Sequence, residues 1–276
     1  MKKTVESANF FYRNFFGRFL LKIIMKLHLD KPAVWFLRSG LSKGFIKRFV
    51  KKNNIPLPME EVASFRTYRD FFVRTREDVP MDMTDSHLMS PCDSLLSAFK
   101  IDENSRFAIK GSLYGVDDFL KDKELAKNYK DGLCLVFRLC ASDYHHYCYI
   151  DEGSQGENHP IPGVLHSVQP IACEKYPVYV LNKRSWCLMN TKNFGPVVEC
   201  EIGALIVGGI ANEKENASFK RGEEKGHFEL AGSTIVLLFE KDRIEFNPEI
   251  VEQFSHTEEV RVKQGEWIAL CKHVSA

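Results

Sequence analysis

Of the 38 Lys and Arg residues in this 276-residue chain, 13 fall within the first 52 positions, where Glu6 and Asp30 are the only acids. The opening segment therefore carries a net +11 and the other 224 residues a net −10, although the chain as a whole stands at +1. Charge divided this unevenly splits the chain into a basic arm and an acidic remainder. The arm is also crowded with large apolar side chains: Phe10, Phe11, Phe15, Phe16, Phe19, Leu20, Leu21, Ile23, Ile24 and Met25. Within positions 8–29, Asn14, Arg18, Lys22 and Lys26 recur at steps of four, which lines them along one face of a helix and leaves a broad apolar face opposite. The longest uninterrupted apolar run is far below the roughly 18 residues needed to cross a bilayer. Such a helix can lie among lipid headgroups, aromatics at the acyl boundary and cations on anionic lipid. Docking on the protein's own core is the plainer alternative, and the two are compatible. A second helical stretch, 33–50, continues the theme with Trp35, Phe36, Phe45 and Phe49.

Charges interrupt every apolar run near the start, so no signal peptide is expected. The expected place is peripheral, on the cytoplasmic side of the cell membrane. Nucleic acid is not an expected partner, because no second basic groove follows the arm.

The rest of the chain has the composition of a protein that can bury a core: 44% hydrophobic and 27% charged residues overall. That excludes a disordered tail, a collagen-like fibre and a disulfide miniprotein. Short or alternating apolar runs predict strands near 95–101, 107–110, 134–139, 164–168, 178–181, 197–210, 234–239 and 267–271. A helical passage is expected at 59–74 and one or two short helices at 118–125. Gly and polar clusters at 151–158 and 212–222 read as loops or hairpin tips. The fold class is α+β: a mainly antiparallel β core with an N-terminal amphipathic helical arm. The division is an arm over 1–58 and a β-rich catalytic domain over 59–276.

Eight cysteines include no CxxC pair, so zinc-ribbon and thioredoxin-type motifs are absent and the thiols read as reduced and mostly buried. No histidine pair has HxxxH spacing or cysteine partners, and no metal site is expected. Three clusters carry possible chemistry: 90–94 (Ser-Pro-Cys-Asp-Ser), 142–148 (Ser-Asp-Tyr-His-His-Tyr-Cys) and 220–234, which ends in Gly232-Ser233-Thr234. Taken singly each is weak. Asp93 after Pro-Cys is most simply a turn residue, and adjacent histidines are usually solvated or hydrogen-bonded. Together they offer an acid, an imidazole and a hydroxyl, the parts of a base-activated nucleophile. No GxSxG elbow surrounds Ser233. Glycine precedes it, and without a Cβ there the hydroxyl can approach the preceding carbonyl in a strained turn, a geometry suited to attack on its own peptide bond.

These segments, taken in order, resemble the pyruvoyl-dependent phosphatidylserine decarboxylases. The resemblance runs from about Phe65 to the C-terminus. It includes Tyr-Arg-Asp-Phe-Phe-Val-Arg at 68–74, Ser-Pro-x-Asp ending at Asp93 and Asp-Tyr-His ending at His145. Pro-Gly-x-Leu-His-Ser-Val follows at 162–168, then Asn-Lys-Arg at 182–184. Glu-Ile-Gly-Ala-x-x-Val-Gly lies at 201–208, and Lys-Gly-His-Phe with Gly-Ser-Thr at 225–234. The order and spacing of so many segments make the match specific.

The resemblance implies a precursor that cuts itself. Ser233 attacks the Gly232 carbonyl, β-elimination severs Gly232–Ser233, and residue 233 becomes a pyruvoyl group, the pyruvate-derived cofactor. A β chain of 232 residues and an α chain of 44 would stay together. The pyruvoyl carbonyl would form a Schiff base with phosphatidylserine and act as an electron sink during decarboxylation to phosphatidylethanolamine. An anionic membrane surface and a homodimer are implied partners.

Carried over by position, Asp93 is the acid that orients and charge-stabilises an imidazole, and His145 is associated with proton transfer in decarboxylation. The family's second histidine, the usual partner of the aspartate in self-cleavage, is replaced here by Cys148. A thiol with an ordinary pKa of about 8.5 is a poorer base than imidazole at neutral pH. Its role passes to His145 or to the extra His146, or maturation is slow, or it fails. Ser94 stands where the family usually has glycine. His166 and His227 fall in matching segments and read as structural. Two alternatives have sequence grounds: a pyruvoyl-dependent decarboxylase of a soluble amino acid, and a non-catalytic lipid-binding homologue.

Overall fold

The computed structural model describes residues 10–17, 19, 30–109, 112–174, 176–204, 209–230 and 233–272. A nine-stranded antiparallel sheet forms its centre. Eight strands run in the spatial order Ala217–Phe219, Gly153–Gln155, Arg184–Thr191, Gly195–Ile202, Ser233–Phe239, Leu133–Leu139, Ser94–Lys100 and Val260–Val262, and His159–Ile161 pairs beside Arg184–Thr191. The architecture is α+β.

Ser233–Phe239 is buried at every position. Its residues alternate between two cores: Val236 and Leu238 join one cluster with Val136, Val198 and Cys200, while Ile235, Leu237 and Phe239 join another with Leu135, Phe137 and Val197. A strand covered on both faces reads as a continuous apolar run, here Ile-Val-Leu-Leu-Phe. A smaller sheet, Ile210–Asn212 with Glu224–Phe228 and His146–Cys148, lies against the second core, where Tyr147 and Phe228 belong.

Several sequence expectations need correction. Val178–Leu181 is a short helix after Pro177, not a strand. Four apolar residues do not distinguish the two, and here the turn places Tyr179 in the core while Leu181 and Asn182 face the backbone of residues 163–166. The strand expected at 164–168 is a single bridge, Val164 to Asn182. Among the described residues of the run 197–210, strand runs to Ile202 and begins again at Ile210; residues 205–208 lie outside them. Both expected loops, 151–158 and 212–222, contain a short strand, and the two pair with each other, Ala217–Phe219 forming the sheet edge. All eight cysteines are free, six of them buried.

Residues 10–17 dock on the protein's own core: Tyr12 is buried and its hydroxyl accepts the Ser167 N–H at 2.9 Å. Most of the amphipathic helix expected over 8–29 lies outside the described residues. Helices Asp30–Arg38 and Lys43–Asn53 follow, the second packing Ile46 and Val50 against Val62 and Phe71. Trp35, Leu41 and Phe45 remain 66%, 70% and 56% exposed. Among the described residues no helix is long and apolar enough to cross a membrane.

Three ionisable groups sit fully buried between the two sheets. Glu199 and Glu201 project from one face of Gly195–Ile202 toward Lys225, which pairs with Glu201 and lies 3.9 Å from Glu199. Burial pushes the Glu199 carboxyl up to about 8; Lys225 opposes the rise and Glu201 adds to it. With Glu199 protonated, the Lys225–Glu201 pair leaves the interior neutral. A carboxyl raised above its ordinary 4.5 makes the folded state hold a proton that the unfolded chain releases. Its contribution is present below about pH 4.5, falls as pH rises toward 8 and is lost above it. Glu199→Gln should therefore gain stability over the parent as pH rises, read as a urea-midpoint difference that widens between about pH 5 and 9.

Candidate active site

Ser233 begins the central strand and is buried, with Leu139 as its ladder partner. Leu139 ends its own strand, and the chain turns back at once. Asp143 closes that turn: its N–H donates to the Cys140 carbonyl at 2.9 Å, and its carboxylate accepts the Cys140 N–H at 2.7 Å. Arg261 holds the same carboxylate from outside at 3.0 Å. An aspartate that satisfies its own turn is a short-range device, and it returns the chain over the strand it has just left. His145 thereby meets Ser233, with Nδ1 3.2 Å from Oγ.

The tautomer follows from the other ring nitrogen. Nε2 lies 3.0 Å from the Cys140 carbonyl, which only accepts, so Nε2 carries the proton and Nδ1 offers its lone pair to the Ser233 hydroxyl. The Phe72 ring lies against the imidazole at 4.2 Å between centroids, and Phe228 presents an edge at 6.4 Å. Burial pushes the His145 imidazolium down to about 3; the Cys140 carbonyl and Asp93 oppose the fall, while Arg74 and His146 add to it. His145 is thus a neutral imidazole, always free to take a proton, though weak as a base.

The helix carrying Phe72 is set by a capping box. Thr67 Oγ1 accepts the Asp70 N–H and Asp70 returns the bond to the Thr67 N–H, both at 3.1 Å. Beyond this helix, Tyr68–Phe72, the chain delivers two arginines to the site. Arg76 donates to Asp93 at 2.9 Å. Arg74 is buried, with one nitrogen on the Phe71 carbonyl at 3.0 Å and the other two without a protein partner.

Asp93 is near His145 but does not bond to it among the described residues. Its oxygens take Arg76, the Gln264 N–H at 3.0 Å and the Lys263 ammonium at 3.5 Å. Burial alone would raise this carboxyl, but those partners outweigh it and hold it below the usual range. Gly265, at φ +81°, makes the turn that presents Gln264. Cys148, the last residue of strand His146–Cys148, packs against the loop that carries Asp93: its N–H and thiol both face the Pro91 carbonyl, at 3.0 and 3.5 Å. Burial pushes the thiol up to about 12, so it stays protonated and is no base. His146 contacts Glu224 and Val73, not Ser233. Gly232 lies outside the described residues.

A cleft of about 910 Å³ opens beside this group, lined in part by Arg74, Arg76, Asp93, Ser142, Lys263 and Gln264. Sequence reasoning reached Asp93 and the serine and histidine but not Arg76, Lys263 or Gln264. Arg74 lies inside the quoted segment 68–74, yet nothing local distinguishes the arginine that turns inward from those that face solvent.

A family profile described as phosphatidylserine decarboxylase matches residues 68–270. The chain belongs to this family. Phosphatidylserine decarboxylase proenzyme 2 of Clostridium acetobutylicum is 39% identical over 264 residues, covering 94% of this chain and 90% of its own length. The phosphatidylserine decarboxylase proenzyme of Clostridium perfringens is 37% identical over 272 residues, with coverages of 96% and 92%. That of Clostridium beijerinckii is 36% identical over 273 residues, with 96% and 91%.

A depressed histidine has two consequences with fixed sign. The folded state excludes a proton that the unfolded chain binds between about pH 3 and 6.5, so this site costs stability as pH falls below 6.5. Any proton transfer through His145 should lack an inflection near its ordinary pKa. A freshly translated chain followed by gel between about pH 5 and 8 should show no inflection near 6.5 in any rate that depends on this base. Replacing His145 by Asn should lower that rate by about 100-fold or more.

Proposed function

We propose that the protein converts phosphatidylserine to phosphatidylethanolamine, using a pyruvoyl group formed when the chain cuts itself between Gly232 and Ser233. The observation that carries this reading is the buried Ser233 hydroxyl facing a neutral imidazole lone pair at 3.2 Å, in a chain of this family.

The cut uses the chain's own groups. His145 Nδ1 takes the hydroxyl proton as Ser233 Oγ adds to the Gly232 carbonyl and returns it to the amide nitrogen, which leaves as the amine of residue 233, so that an ester replaces the amide. β-Elimination then releases residues 1–232 as a carboxylate, and hydrolysis of the dehydroalanine left at 233 yields ammonia and the pyruvoyl ketone. Asp93, ionised by Arg76 and Gln264, contributes a field that favours the imidazolium as it forms. Cys148 keeps its proton and braces the Pro91 carbonyl, so in this reading the base role passes to His145.

The position suits a pyruvoyl group. Residue 233 is the first of its strand, so a break before it leaves the ladders to Leu133–Leu139 and Gly195–Ile202 complete. Those ladders would hold the 44-residue α chain inside the 232-residue β chain. A pyruvoyl group supplies a ketone that captures the substrate amine and draws off the electron pair left as carbon dioxide departs. His145, facing residue 233 from a dry pocket, is placed for the proton transfer that completes the reaction.

Residues 1–58 serve as the membrane arm and 59–276 as the catalytic domain, peripheral on the cytoplasmic face and paired as a homodimer. Support for the arm comes from exposed Trp35, Leu41 and Phe45 beside the cations of Lys43–Asn53, a pairing suited to an anionic lipid surface.

Intact-mass spectrometry and gel electrophoresis of the purified chain should find a fragment of roughly 5 kDa bearing a ketone in place of the serine amine. Ser233→Ala should abolish it; an uncut wild-type chain, or cutting that survives the substitution, overturns the reading. Replacing Trp35, Leu41 and Phe45 together by Ser should weaken binding to phosphatidylserine vesicles by about tenfold or more in a flotation assay.

A further inference from the structure

We propose that His146, Glu224 and His227 form a binding site for a divalent transition-metal ion of the zinc type, separate from the Ser233 chemistry. One ligand atom from each residue lies within 4.8 Å of the other two. Neighbouring strands bring them together. His146 and His227 are direct cross-strand partners, and a bulge between Glu224 and Gly226 turns the carboxylate toward the same side.

The hydrogen bonding already has the form of a ligand shell. His146 is buried, and its Nε2 lies 3.1 Å from the Val73 carbonyl. A carbonyl only accepts, so Nε2–H donates to it and can leave the Nδ1 lone pair free for a metal, the way an outer group usually sets a ligating histidine. That Nδ1 lies 2.7 Å from Glu224 Oε1, where an ion would take the place of the shared proton. His227 Nδ1 is buried with no hydrogen-bond partner. Tyr144 stacks behind His146 at 4.8 Å and 7°, which keeps that ring in place.

Two imidazoles are borderline donors and, joined by one carboxylate, suit a zinc-type ion, whereas calcium and magnesium call for a shell of oxygens. The Glu224 side chain is 43% exposed, which gives the ion a way in and leaves room for water in a fourth position. The two imidazole planes are stacked at 22°, so a shared ion requires the half-buried His227 ring to rotate; the backbone register need not change. An ion held here would tie the strand that begins at His146 to Glu224–Phe228 directly beside His145, whose carbonyl accepts the Phe228 N–H at 3.0 Å. It would stiffen the segment that presents the base without touching Ser233.

The test uses full-length protein, freed of any affinity tag and stripped by chelator, titrated with Zn²⁺ against a chromophoric competitor. One Zn²⁺ per chain is expected, and Co²⁺ in its place should give the visible bands of a four-coordinate site. His227→Gln and Glu224→Gln should each weaken Zn²⁺ binding by at least about tenfold. X-ray absorption of the Zn²⁺-loaded wild-type chain reads the ligands without any variant and should find two imidazoles. Failure of the wild type to bind Zn²⁺ stoichiometrically, unchanged affinity in both variants, or an absorption spectrum without imidazole donors overturns the proposal.

Discussion

The ladder between Leu133–Leu139 and Ser233–Phe239 is the interaction on which the rest depends. It sets Ser233 opposite Leu139. Burial on both faces keeps it there, because a slip of one residue would send every side chain of Ser233–Phe239 into the opposite core. Once Leu139 is placed, the Asp143 turn has little freedom in where it delivers His145. Ser233 and His145, distant in sequence, are therefore held together by a rigid apolar strand and one tight turn.

The same strand explains the local electrostatics. His145 rests in an apolar layer with Phe72 and Phe228, and dryness makes it neutral. The charged groups gather beyond it beside the cleft, where Asp93 takes Arg76, Lys263 and the neutral Gln264 N–H. Inside the molecule, Lys225 and the two glutamates form a second charged group, kept near neutrality by a protonated Glu199. The surroundings of Ser233 are thus separated into a dry half and a paired, ionic half.

Legibility in the sequence varied with the range of the interactions. The central strand was readable from its unbroken apolar run, and the short helices at 116–120 and 123–126 fell where expected. Val178–Leu181 was misread because four apolar residues fit either period, and Pro177 with the packing of Tyr179 decided for helix. At the site, Ser233, His145 and Asp93 stood out through their motifs. The partners of Asp93 did not, because Arg76 and Lys263 look like any surface cation until the turn at Gly265 is built. The grouping of His146 with Glu224 and His227 was invisible for a similar reason: metal spacing rules follow one helix or one knuckle, whereas these ligands come from two strands and a bulge.

By itself the amino-acid sequence determined the family, the α+β class and the basic, apolar character of the first 52 residues, and it singled out the serine, histidine and aspartate as candidates, since these depend on residue type, order and local periodicity. Only the tertiary structure decided which histidine faces Ser233, which groups hold Asp93, and that Cys148 stays a buried thiol against Pro91. Those outcomes depend on burial and on contacts between residues far apart in the chain, and neither quantity is carried by any short stretch of it.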